Sequence, residues 1–206
     1  MSGVDVLGWC AALSVIGISI PQLVLLLRTR DTSGIAVTTW VINLGTYIGW
    51  LSHGIVLNQW PMIAPNILGL GATLAILYAL MRQRKLSFMR LYAPGLALGA
   101  LMVVLDLFIA SSAFGIAAMI PGCISMGRQG VELLRSPDVS GVSTASWFWQ
   151  VTTQALWFVW AVLVHDPGTT ISTIVSVIVA AVVLAIRVFR GRGWHPRTVV
   201  TEDALG

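Results

Sequence analysis

Trp50 and Asn66 stand 16 residues apart (66 − 50 = 16), and Trp157 and Thr173 repeat that spacing (173 − 157 = 16). A tryptophan face covers C–H groups, while a carboxamide or hydroxyl donates and accepts hydrogen bonds. Such a set suits holding a small neutral solute. A turn near Asn58–Trp60 puts Trp50 and Asn66 each about eight positions from a hairpin tip, roughly 12 Å down two helices. An asparagine at that depth without a partner costs a few kcal/mol, so Asn66 should face a cavity or another helix. The plainer alternatives are Trp50 against lipid and Asn66 in an interhelical hydrogen bond. Asn43 and Gln150 lie seven residues before their tryptophans, on the same helical faces, and would line the path further along. His53 and Trp160 lie one turn beyond on the other side, where they could gate it.

The elements that must position these residues are apolar helices. Hydrophobic residues make up 57% of the 206-residue chain and charged residues 10%, against about 25% charged in a soluble domain. Seven segments carry almost no charge: Val6–Leu27, Val37–Leu57, Pro61–Met81, Leu91–Ala110, Ala113–Leu134, Ala145–Val164 and Thr170–Val188. Each is close to the roughly 20 residues that span a bilayer. Lys and Arg cluster in alternate connections: Arg28 and Arg30, Arg82 to Arg90, Arg128 and Arg135, and Arg187 to Arg197. The connections near Gln59, Ser112 and Asp166 have none. Basic loops stay cytoplasmic, so the N-terminus is expected outside and the C-terminus inside. His165 and Asp166 should be solvated in an outer loop. Asp106, about one turn from the outer end of its helix, should be near enough to the surface to be solvated. Cys10 and Cys123 fall inside segments and read as small buried side chains rather than a disulfide pair.

The chain also repeats itself. Gln22–Trp50 and Gln129–Trp157 share Gln, Val, Leu, Leu, Arg, Asp, Ser, Gly, Trp, Thr and Trp at one offset (129 − 22 = 107), which indicates an internal duplication. Three crossings leave the chain on the far side of the membrane, so a second copy in the same sense needs one extra crossing. The expected fold is all-α and integral to the membrane: two parallel three-helix bundles joined by an inversion linker helix. The expected units are 1–86, the linker 87–110, the second bundle 111–190 and a cytoplasmic tail 191–206. Pro21 removes a helix donor near the inner end of the first segment. It could kink or hinge the helix there, with the Gln22 amide bridging to nearby carbonyls. Gln129 is the counterpart of Gln22, but Arg128 replaces the proline.

Pro21-Gln22 before an Arg-bearing turn and a Ser-Gly loop, "WLSHGIVLNQWPMIAPNILGL" over Trp50–Leu70, and the three-one-three order resemble the SWEET and SemiSWEET sugar transporters within the wider PQ-loop group. The resemblance runs from Val6 to Val188. It implies a facilitative carrier working by alternating access, a mono- or disaccharide as substrate, Trp50 and Asn66 as contacts, and inner-side bending at Pro21-Gln22. Thr173 stands where the family usually carries a second asparagine.

Other classes find little support. The sequence has no HExxH, no metal-spaced Cys/His cluster and no phosphate loop, so neither an enzyme nor a cofactor is expected. Its only lysine, Lys85, sits in a connection, which excludes a retinal Schiff base. The arginine clusters orient the chain and can touch anionic lipid rather than nucleic acid. A receptor or sorting protein on the same scaffold remains an alternative, as does a proton-coupled carrier of amino acids or cationic solutes. Two bundles in one chain make a complete path, so a monomer suffices and a homo-oligomer stays open. The expected location is a bacterial inner membrane.

Overall fold

The structure, a computed structural model, describes residues 2–29, 36–136, 138–139 and 141–194; within 16–29, only the side chains of Val24 and Arg28 are described. These residues form seven helices: α1 (Gly3–Thr29), α2 (Val37–Val56), α3 (Trp60–Gln83), α4 (Phe88–Val104), α5 (Ser111–Arg135), α6 (Thr144–Leu163) and α7 (Pro167–Gly191). A π-helical turn, Leu105–Ile109, continues α4. Trp60–Gln83, Phe88–Ile109 and Pro167–Gly191 are each long and apolar enough to cross a membrane.

Local chemistry sets the ends. Ser87 and Ser143 cap α4 and α6, accepting from the Arg90 and Ser146 amides at 3.3 and 3.2 Å. Pro61 and Pro167 sit in the first turns of α3 and α7, where a missing N–H costs nothing. The α2–α3 and α6–α7 turns are superimposable in their bonding. Leu57, Asn58 and Gln59 amides donate to the His53, Ile55 and Gly54 carbonyls; Val164, His165 and Asp166 amides donate to Trp160, Val162 and Ala161. Asn58 and His165 both take a left-handed backbone, with φ 53° and 58°.

Helix α3 packs against both α1 and α2, and α7 against both α5 and α6. Helix α1 also meets α6, and α2 meets α5, which are equivalent pairings under the 107-residue offset. Helix α4 packs chiefly on α2. That contact is built from glycines. Gly45 and Gly49 on α2 face Gly95 and Gly99 on α4, and a Cβ at Gly45 or Gly95 would lie 2.7 or 2.6 Å from a backbone oxygen of the other helix. Small residues four apart let two helices approach closely. The core holds one cluster towards the arginine-bearing end, around Trp40, Leu44, Ile76, Leu77, Leu80 and Leu91. Two more, around Met62 with Trp160 and around Met102 with Phe114, lie towards the other end. The expectation that both cysteines are buried is not met: Cys10 is exposed and Cys123 is only partly covered.

Candidate functional site

The arginine-free end, where α2 and α6 finish and α3, α5 and α7 begin, collects the aromatic residues singled out in the sequence. Trp50 and Trp157 both pack against the Met62–Trp160–Ala161 cluster. Trp50 meets Phe114 edge-on at 4.9 Å and His53 at 5.9 Å, and Trp157 meets Trp160 edge-on at 5.3 Å. Trp160 is fully buried. The Trp149 indole donates across to the Ser14 carbonyl of α1 at 3.2 Å.

The polar residues beneath are held on their own helices. Asn66 is half-buried and its amide donates to the Met62 carbonyl at 2.7 Å. Thr173 is buried and donates to the Thr169 carbonyl at 2.6 Å. Asn43 and Gln129 are half-buried, as is Gln150, whose amide lies 3.9 Å from the Met126 sulfur. Pro21 and Gln22 fall within α1, and their side chains lie outside the described residues. Two hydroxyls count in the sequence only as repeat identities, with no site role. Thr46 and Thr153 are repeat counterparts, one turn from Trp50 and Trp157 on the same faces, and both hydroxyls are buried without a hydrogen-bond partner. Their symmetric place in the duplication was the available signal.

His53 sits deeper in polar contacts than its sequence position foretold. It is 1% exposed and stacks on Phe114 with ring centres 4.4 Å apart. Its Nδ1 lies 2.9 Å from an Asp106 carboxylate oxygen, and its Nε2 lies 3.0 Å from an Asp166 oxygen. The expected solvation of both acids is therefore corrected: their side chains are 3% and 0% exposed. Asp106 lies in the π-helical turn and is covered by α2. Asp166 caps α7, accepting from the Gly168 and Thr169 amides at 2.9 and 3.2 Å, and also from the Ser111 hydroxyl at 3.2 Å. Ser111 Oγ in turn accepts from the Gly168 amide. His165, as expected, is exposed. Burial pushes the Asp166 carboxyl up, but hydrogen bonds from His53 and Thr169 outweigh it and hold the group below its ordinary value. Neither acid could be assigned from distance to a loop alone, since their partners lie 53 and 113 residues away.

Towards the arginine-bearing end, an open groove of about 760 Å³ is lined by Ile124, Gly127, Arg128, Val131, Glu132, Arg135 and Ser136. It begins about 15 Å along α5 from Phe114, ten residues at 1.5 Å each, so it is not the space beside the paired tryptophans. No cluster of metal ligands occurs among the described residues.

Helices of membrane-spanning length and few charges define an all-α membrane protein. Over 67 residues the chain is 31% identical to the sugar transporter SemiSWEET of Escherichia coli (strain UMEA 3162-1), a match covering 32% of this chain and 75% of that protein. This chain belongs to the SWEET/SemiSWEET family. No family model matches it, and no solved structure matches it.

Proposed function

We propose that the chain is a facilitative membrane carrier of a small neutral solute, a mono- or disaccharide. It works by alternating access between two parallel three-helix bundles, 1–86 and 111–190, with 87–110 as the inversion linker and 191–206 as a cytoplasmic tail. The N-terminus lies outside the cell and the membrane is a bacterial inner membrane. The observation that carries this reading is the convergence of Trp50 and Trp157, equivalent residues of the duplication, on one cluster. The membership of a sugar-transporter family adds the solute class. The pairing of α1 with α6 and α2 with α5 supports a pseudo-twofold relation between the bundles.

In this reading the solute lies between the tryptophan faces, with Asn66 and Thr173 turning from their own carbonyls to its hydroxyls. Exchanging a backbone partner for a solute partner costs little net hydrogen-bond energy. Asn43 and Gln150 line the inner part of the path, and Thr46 and Thr153 add free hydroxyls between. His53 and Trp160, with Phe114 stacked on His53, form the outer gate above the tryptophan pair. Pro21, Gln22 and Gln129 serve the inner hinge. One chain suffices for a pathway.

The test is uptake of labelled glucose and sucrose into proteoliposomes. Asn66→Ala should abolish uptake while leaving helicity and melting unchanged; full uptake by that variant refutes the pocket assignment. Counterflow of the labelled sugar separates a carrier from a receptor on the same scaffold, which would bind without exchange.

A further inference from the structure

The buried Asp106–His53–Asp166 line joins three separate parts of the chain: the π-helical turn after α4, helix α2, and the α6–α7 turn. Its geometry fixes how many protons it holds. A neutral imidazole has one N–H donor and one bare nitrogen. Here both nitrogens lie 2.9–3.0 Å from carboxylate oxygens. With both acids ionised and His53 neutral, one bare nitrogen would face an anionic oxygen, two lone pairs in contact in a buried site. The arrangement is satisfied only with one further proton, on the imidazole or on one acid. No other charge answers for it. On α2 the other titratable side chain is Tyr47, on the α3-facing side against Gly69. Helix α3 has Tyr78 and Arg82, α4 has Arg90 and Tyr92, α5 has Cys123 at its midpoint and Arg128, Glu132 and Arg135 beyond it, and α7 has Arg187 and Arg190, all but Cys123 well towards the other end. Helix α6 has none. Among the described residues, those at this end are Asp5 and Cys10 on α1, with the chain's amino terminus acting on Asp5, and His165, which is exposed beside Asp166.

We propose that Asp106, His53 and Asp166 form a proton-binding latch: closing the arginine-free end takes one proton from water on that side, and opening returns it. The acceptor that departs on opening is Asp166, because the α6–α7 turn belongs to the second half, while His53 lies on α2 and Asp106 on the π-helical turn that continues α4, the helix packed on α2; that turn also meets α5. Once apart, neutral His53 donates to Asp106 through Nδ1 and Asp166 keeps its amide and Ser111 donors, so the extra proton has no site. The proton enters and leaves on the same side, so the carrier is gated by external pH rather than driven by it. This goes beyond the carrier reading but does not need a solute for its test.

The experiment uses the full chain in nanodiscs with Cys10→Ala and Cys123→Ala. Spin labels go on Val56→Cys and Leu163→Cys, equivalent exposed positions at the ends of α2 and α6. Double electron–electron resonance distances are read from pH 5 to 9. Uptake of one proton on closure predicts a short distance at low pH, and an open-to-closed ratio rising by up to roughly tenfold per pH unit. Asp106→Asn removes the need for the extra proton, because its amide can donate to a bare Nδ1 while Nε2–H donates to Asp166. That variant should keep the short distance at high pH. A distance independent of pH in the parent overturns the latch without any variant, and so does an unchanged slope in Asp106→Asn. A chain that carries no sugar yet shows the titration would sink the carrier reading and leave the latch standing.

Discussion

The two turns at the arginine-free end share a backbone and differ in chemistry. Three amide–carbonyl bonds and a left-handed residue recur at an offset of 107 (164 − 57 = 107). Yet Gln59 makes no side-chain cap on α3, while Asp166 caps α7 and reaches His53. One turn back along the preceding helices, His53 stands opposite its counterpart Trp160. Duplication supplied two equal frames, and divergence then made them complementary, an imidazole on one half and an acid on the other. The same holds along α2 and α6. Gly45 and Gly49 admit α4 to α2, whereas their counterparts Thr152 and Leu156 stand on a helix that α4 does not pack on.

Paired substitutions can break or sharpen that contrast. The largest expected effect is Asp166→Ala, which orphans the Nε2 of His53 and two amides of α7. Breaking a buried pair costs about 3–5 kcal/mol, and a detergent melt should fall steeply. Gln59→Ala at the equivalent site should stay within about 0.5 kcal/mol. Equal losses from the two would mean the turns are not chemically distinct.

Next comes Gly95→Val. Its new side chain meets the Val41 carbonyl, an obstacle that cannot rotate away, and overpacking costs about 1–3 kcal/mol. Thr152→Val, at the position equivalent to Gly45, should be nearly neutral by thermal unfolding. A smaller effect is expected from pH. Asp166 titrates lower in the fold than in the unfolded chain, so its contribution is present above the ordinary aspartate value of about 4. It fades as pH falls through the folded value beneath that. Melts at decreasing pH should therefore drop below about pH 4, and Asp166→Asn should flatten that drop. Smallest is Thr173→Ala: with one hydroxyl lost rather than an amide, sugar uptake should fall only a few-fold, the loss of about 1 kcal/mol. A total loss there would place Thr173 on a par with Asn66.

The seven helices were legible because apolar run length and the missing donors of Pro61 and Pro167 act locally. Helix ends fell within a few residues of the apolar segments. The recurring tryptophans were legible for the same reason, since a fixed offset puts them on equivalent faces. The burial of Asp106 and Asp166 was not. Distance from a helix end measures depth, but exposure depends on which distant segment covers the group, and here α2 and the α6–α7 turn do so. The glycine pairs in "GTYIG" and "GLALG" were readable as close-approach motifs, though nothing local says that they face each other. The π-helical turn has no local signal, and it is the element that carries Asp106.

One connection in the chain has almost no slack. Between the π-helical turn and α5 lies Ala110 alone, fully extended at φ −171°. Ile109 and Ser111 are two residue steps apart, at most about 7 Å, so the end of α4 and the start of α5 cannot separate by more than that. If the halves part, they must swing like a book about this spine, and the gap must be widest at the far edge, where α1 meets α6. The fore-edge of that book, along Trp149 and Ser14, is where a solute would first find room.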